Sequence, residues 1–208
     1  MADIEEHNIL SQLVNPKTNA QAFSKLVRLY QERLYWHIRK MVLSHEDAND
    51  VLQNTFMKAW NGLAGFRGES QISTWLYRIA TNETLTFLTN KRMRNISGID
   101  DVEGLLLGQL QADTYFSGNE AEMKLQQAIL TLPEKQRLVF NMKYFDDLTY
   151  EEMENILETS VGALKASYHH AVKKIEKYLT EEKVTYTIIR QMNHFNVSEI
   201  KPFDILKV

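Results

Sequence analysis

The sequence predicts an all-α protein, built as an N-terminal helical bundle followed by a C-terminal helix-turn-helix domain. Three observations predict it. Apolar residues recur at three- and four-residue steps almost throughout, strand-type alternation is nearly absent, and a stretch rich in glycine, serine and acid divides two periodic blocks. A chain of 208 residues, 44% hydrophobic and 25% charged, suits one large or two small soluble globular domains.

In the first block, Phe23, Leu26, Val27, Tyr30, Leu34, Ile38 and Met41 form one apolar stripe. Ser44, with Asp47 three residues on, opens a capping pattern for a second helix. Its stripe is Ala48, Val51, Leu52, Thr55, Phe56 and Ala59, and it ends near Asn61-Gly62. Residues 62 to 70 hold three glycines and read as a loop. A third helix is predicted from about Gln71 to Lys91, burying Ile72, Trp75, Leu76, Ile79 and Leu88. Three amphipathic helices bury their stripes against one another, which makes residues 1–95 a bundle.

Residues 96–120 carry five acidic and no basic side chains, and they read as a linker. The second block spans residues 121–180. Pro133 suits the first turn of a helix running to about Tyr144, and Asp146-Asp147 makes a turn. Thr149 caps the next helix, with Glu152 in the capping-box position. That helix ends at Leu157. Glu158-Thr159-Ser160 then turns the chain into a last long helix with Leu164, Tyr168, Ala171, Ile175 and Leu179 inward. Two helices about a tight turn, the second with a polar outer face, make a helix-turn-helix pattern. Residues 181–208 mix alternation (Val184, Tyr186, Ile188) with helical spacing (Ile189, Met192, Phe195) and are left unassigned, a C-terminal extension.

Charge and composition narrow the function. There is no cysteine, so disulfides, thiolate metal sites and cysteine nucleophiles are excluded, which suits a reducing cytoplasm. The acidic N-terminus lacks a basic stretch leading into an apolar core, so no signal peptide is expected, and no run is long enough to insert in a bilayer. Net charge is −3, too acidic for strong independent DNA binding. Gly62, Gly65 and Gly68 follow no strand and make no phosphate loop. There is no His-Glu-x-x-His and no nucleophile elbow, so no catalytic residue, cofactor or metal is expected.

Three segments carry a family likeness. Asp47 to Trp60 (DANDVLQNTFMKAW) is the first. Phe66-Arg67-Gly68-Glu69-Ser70, followed by Thr74 to Ala80 and Asn82, is the second. Leu132-Pro133-Glu134-Lys135-Gln136-Arg137, through Tyr150-Glu151-Glu152 and on to Ala171, is the third. In this order and spacing they resemble the extracytoplasmic-function group of RNA polymerase sigma factors, over about residues 20–92 and 121–179.

The resemblance implies region two in the first block and region four in the second. It also implies core RNA polymerase and promoter DNA as partners, with an anti-sigma protein as a regulator. Asp47, Asp50, Gln53, Asn54, Met57 and Lys58 would face the clamp helices of the largest polymerase subunit. Arg67, Trp75, Tyr77, Arg78, Asn82, Lys91 and Arg92 would hold the minus-ten element, although Trp75 shares a stripe with Ile72 and Ile79 and reads as core ahead of a base platform. Val161, Gly162, Lys165, Ala166, Ser167, His169, His170 and Lys173 would face the minus-thirty-five element, Lys165 toward guanine O6/N7 or a phosphate. Departures fall at Asn54 (usually Glu), Thr86 (commonly Asp), and Ala163, Ser167 and His170, where Thr and two Arg are frequent. The residues by themselves leave two further readings. One is a stand-alone helix-turn-helix regulator, which leaves the first two segments unexplained. The other is a protein-interaction relative that has lost DNA binding.

Overall fold

A computed structural model describes residues 9, 11–13, 17–66, 68, 70–95 and 120–181. No strand occurs among the described residues, and the chain divides into two units, Met1–Ile99 and Asp100–Val208. The predicted linker (up to residue 119) and the extension from residue 182 onward lie outside the described residues.

In the first unit, α1 (Asn19–Val42), α2 (His45–Gly62) and α3 (Ile72–Asn95) all pack on one another. The α1 stripe is as predicted: Leu26, Tyr30, Leu34, Ile38 and Met41 are buried, and Phe23 and Val27 are half-buried. The helix stops at Leu43, which adopts φ 61 and donates its N–H to the Arg39 carbonyl at 2.9 Å. A leucine in the left-handed region costs about 1–3 kcal/mol. Burial of its side chain, worth about 1.5–3 kcal/mol, offsets that cost. Ser44 then caps α2 through the Asp47 N–H at 3.3 Å. The joint is so short that α1 and α2 fold back on each other.

Small residues line the inner side of α2: Ala48, Val51, Thr55 and Ala59 are buried, and the Thr55 hydroxyl donates to the Val51 carbonyl at 2.8 Å. The buried face of α3 is broader than the periodicity predicted. Ile72, Leu76 and Leu88 are inside, but Trp75 and Ile79 are half-buried, and Thr74, Tyr77, Ala80, Thr81 and Thr84 are also buried. The cause is that α3 packs against two helices at once. Its threonines are satisfied in place: Thr84 donates to the Ala80 carbonyl at 2.7 Å, and Thr81 bonds the buried His37 ring at 3.0 Å.

The predicted glycine loop is partly helical. Leu63–Gly65 forms a 3-10 turn, and Gly68 takes φ +71. A Cβ at Gly62 would meet the Trp75 ring at 3.3 Å, so the glycine lets the α2 end approach α3 closely.

The second unit contains α4 (Glu120–Leu130), α5 (Glu134–Tyr144), α6 (Tyr150–Leu157) and α7 (Val161–Glu181). Its core joins Leu125, Ala128, Ile129 and Leu132 to Phe140 and to Ala171, Ile175 and Leu179 of α7. Phe140 is stacked between Tyr144 (5.1 Å, 16°) and Tyr168 (5.8 Å, 12°), with Phe145 edge-on at 6.3 Å. Pro133 takes the cap position, one residue ahead of the helix. The capping box at α6 is complete: Glu152 N–H donates to Thr149 Oγ1 at 3.2 Å, and Thr149 N–H donates to Glu152 Oε2 at 2.7 Å. Thr149→Ala is expected to cost about 1 kcal/mol, read as a lower urea midpoint for this unit.

Burial in the aromatic cluster, helped by the neighbouring Tyr150 and Tyr144 phenols, pushes the Tyr168 hydroxyl up to about 12. Burial also raises Tyr144. A neutral phenol is therefore favoured in the fold. Its contribution is complete below pH 10, where the unfolded chain is also protonated, and is lost as pH rises toward 12. The difference is worth roughly 2–3 kcal/mol. Melting followed by circular dichroism should fall steeply between pH 10 and 12, and Tyr168→Phe should blunt the fall.

Candidate partner-binding and nucleic-acid interfaces

The outward strip of α2 runs from acid to apolar. Asp50, Gln53 and Asn54 are exposed, followed by Met57 (55% exposed) and Trp60 (41%). Asp50 makes no ion pair among the described residues. Lys58 is tied to Glu83 of α3, and Asp47 takes Lys91 of α3 at 2.6 Å, half-buried. The two ion pairs stitch α2 to α3. Of the six residues predicted for this strip, Asp50, Gln53, Asn54 and Met57 therefore make no ion pair among the described residues, while Asp47 and Lys58 are partly spent within the fold. Sequence reading passed over Trp60 as a strip residue, although it lies three residues after Met57. The edge of Phe23 holds its ring at 5.0 Å, so the indole is exposed but supported.

The predicted minus-ten residues divide. Arg78, Asn82 and Arg92 are exposed on α3. Trp75 is half-buried, its ring 5.1 Å from Phe66 at the mouth of the 3-10 turn, so it belongs partly to each of its two readings. Tyr77 is a correction. It is 6% exposed, with its ring edge-on to His37 at 5.1 Å, and it serves the bundle core rather than a DNA-facing surface. Periodicity missed this because α3 has two packing faces. Lys91 is drawn to Asp47, so its charge is shared with the predicted polymerase strip. Arg67 lies outside the described residues.

In the second unit, α6, a turn and α7 make the helix-turn-helix. Glu158 at φ 50 ends α6, and Ser160 Oγ accepts the Ala163 N–H at 3.4 Å to start α7. Gly162, Lys165, Ala166, His169, His170 and Lys173 are exposed, and Val161 and Ser167 are half-buried. Six of the eight predicted residues thus lie on the side of α7 away from Leu164, Ala171, Ile175 and Leu179, and Val161 and Ser167 flank that buried stripe. Three neighbours escaped the sequence reading. Glu154 of α6 accepts the Val161 N–H at 3.2 Å. The Tyr150 ring lies 5.5 Å from both Lys165 and Lys143 Nζ. These contacts join residues from separate helices, which helical spacing does not register.

Two helices about a tight turn, the second capped and polar-faced, define the helix-turn-helix class of DNA-binding proteins. Comparison with known proteins narrows it. Sigma-70 region 2 matches residues 26–94, and Sigma-70 region 4 matches residues 122–175. The chain is 31% identical over 173 residues to the ECF RNA polymerase sigma factor SigW of Bacillus subtilis, covering 79% of this chain and 92% of that one. It is 31% identical over 168 residues to the ECF RNA polymerase sigma-E factor of Escherichia coli, covering 77% and 87%. The fold is similar to that of CnrH in complex with the cytosolic domain of CnrY, with TM-score 0.61 at 21% identity over 85% of this chain and 98% of that one. It is also similar to the sigma factor RpoE in complex with the anti-sigma factor NepR from Bartonella quintana, at 0.58 and 20% over 76% and 96%.

The chain belongs to the sigma-70 family, in its extracytoplasmic-function group. It is a promoter-specificity subunit of RNA polymerase, acting in transcription initiation.

Proposed function

We propose that the two units divide promoter engagement as follows. Residues 1–95 bind core polymerase through Asp50, Gln53, Asn54 and Met57, with Asp47 and Lys58 at the margin, and hold the opened minus-ten strand through Arg67, Arg78, Asn82 and Arg92 beside Trp75. Opening a duplex needs cationic and polar groups for the backbone with an aromatic platform for a base, and the α3 surface offers both. Residues 121–180 dock α7 in the major groove at the minus-thirty-five element. The acidic residues 96–120 join the two in sequence.

The observation that carries this reading is the matching order of the two family regions on two helical units, each with its core stripe buried. No helix among the described residues is long and apolar enough to cross a membrane, and we place the protein in the cytoplasm, where its polymerase partner works. It contributes binding and no catalytic step of its own. Two similar folds are recorded in complexes, one of them with a named anti-sigma factor, which supports an anti-sigma protein as the regulator of this chain too.

Run-off transcription with purified core polymerase across genomic fragments tests the reading. Discrete promoter-dependent transcripts are expected only when the chain is added. A stand-alone regulator would shift duplex DNA without polymerase and give no transcript.

A further inference from the structure

Lys165 sits one turn into α7, where a recognition helix ordinarily meets base edges. Its ammonium is drawn elsewhere. Lys165 Nζ and Lys143 Nζ both lie 5.5 Å from the centroid of the Tyr150 ring, one lysine from the end of α5 and the other from the start of α7. At that range the ring's negative face attracts each cation. Lys143 is fixed further by donating to the Leu148 carbonyl at 3.0 Å. Neither lysine is ion-paired among the described residues, although the chain has 27 acidic side chains. Two like charges beside one ring, with no carboxylate paired to either among the described residues, leave a cationic site open to an external anion.

The usual anion site of such a motif, the recognition-helix N-terminus, is already occupied. Glu154 takes the Val161 N–H and Ser160 takes the Ala163 N–H, and Glu154 brings a negative charge to the position a phosphate would otherwise take. The paired cations lie instead at the Tyr150 ring.

We propose that Tyr150 is a positioning residue that holds Lys143 and Lys165 as a paired clamp on the phosphate backbone of promoter DNA, so that Lys165 does not read a base. The inference rests on the helix-turn-helix reading of this unit and assigns its division of labour. Lys143, Tyr150 and Lys165 supply grip. Base discrimination falls to Ala166, Ser167, His169 and His170, which make apolar contacts and directional hydrogen bonds without a long cationic side chain.

The test uses holoenzyme assembled from the full chain and core polymerase, on a promoter found by run-off transcription. Promoter affinity is measured from 50 to 200 mM KCl and across single-base changes in the minus-thirty-five element. Each phosphate contact contributes about 0.9 to the slope of log affinity against log salt. Lys143→Ala and Lys165→Ala should therefore each flatten the slope by about 0.9. Their affinity deficit should shrink about 3.5-fold between those salt concentrations, with the ranking of base variants unchanged. Tyr150→Leu should flatten the slope in the same way, while Tyr150→Phe, which keeps the ring, should match wild type.

The proposal is overturned if Lys165→Ala relaxes discrimination at one base pair, or if Tyr150→Leu keeps the wild-type slope. It is also overturned if the lysine variants weaken core polymerase binding instead of DNA binding, which would place the clamp on a protein surface. A wild-type chain that directs no transcript at all would instead sink the sigma-factor reading beneath it.

Discussion

Asp50→Arg is expected to lower affinity for core polymerase by at least about 30-fold while leaving the thermal unfolding of the chain unchanged. Asp50 is exposed and makes no ion pair among the described residues, so reversing its charge removes nothing from the fold. The loss falls entirely on the partner. Truncations at binding hot spots cost about 2 kcal/mol or more, and reversing the charge of an interface carboxylate turns any attraction into repulsion. Gln53→Ala should weaken binding in the same direction by less. Asp47→Asn makes a useful contrast, because the Asp47 carboxylate is paired with Lys91 of α3 at 2.6 Å. Its loss should register partly as lower stability of the first unit, with a smaller change in polymerase affinity. Surface plasmon resonance with immobilised core, beside circular dichroism melts of each variant, separates the two effects. An unchanged affinity for Asp50→Arg would remove α2 from the polymerase interface.

The second large effect lies in the other unit. Phe140→Ala should cost about 3–5 kcal/mol, because a fully buried ring is deleted from between two stacked tyrosines. A unit of this size is stabilised by only several kcal/mol in total, so most of its helix content should be lost at 37 °C. The first unit has its own core of Leu26, Leu34, Ile38 and Met41 and should persist, leaving core polymerase binding in place. The variant should therefore still occupy polymerase but fail on promoters that depend on the minus-thirty-five element. Full retention of helix content up to the wild-type melting temperature would contradict this view of the core.

Much of this architecture was legible in the sequence because the fold is built from local signals. The Thr149 and Glu152 pair, the Ser44 cap and the Leu157 stop are each encoded within four residues, and the structure places all three as the sequence predicted. The stripe of α1 was equally plain, since that helix buries one face. The α3 face was read less well. Two helices pack on it, so threonines and Tyr77 are buried where a single apolar stripe had been expected, and Tyr77 was mistaken for a DNA-facing residue.

Pairings between helices were not legible at all. Asp47 with Lys91, Lys58 with Glu83, and the two lysines on Tyr150 join positions 7 to 44 residues apart in mixed register, and only the packed structure brings them together. These pairings change the functional reading, because they decide which charges remain available to a partner. Asp50 and Lys165 keep theirs. Asp47 and Lys91 largely satisfy each other.

The account holds that each unit is too weakly charged to grip promoter DNA unaided and gains its hold through polymerase. Fluorescence anisotropy on one promoter duplex, with the chain alone and then with core polymerase added, tests this most directly. The account predicts weak capture by the free chain, indistinguishable between promoter and scrambled duplex, and tight selective capture once core is present. Tight, sequence-selective binding by the free chain that core polymerase does not improve would contradict it.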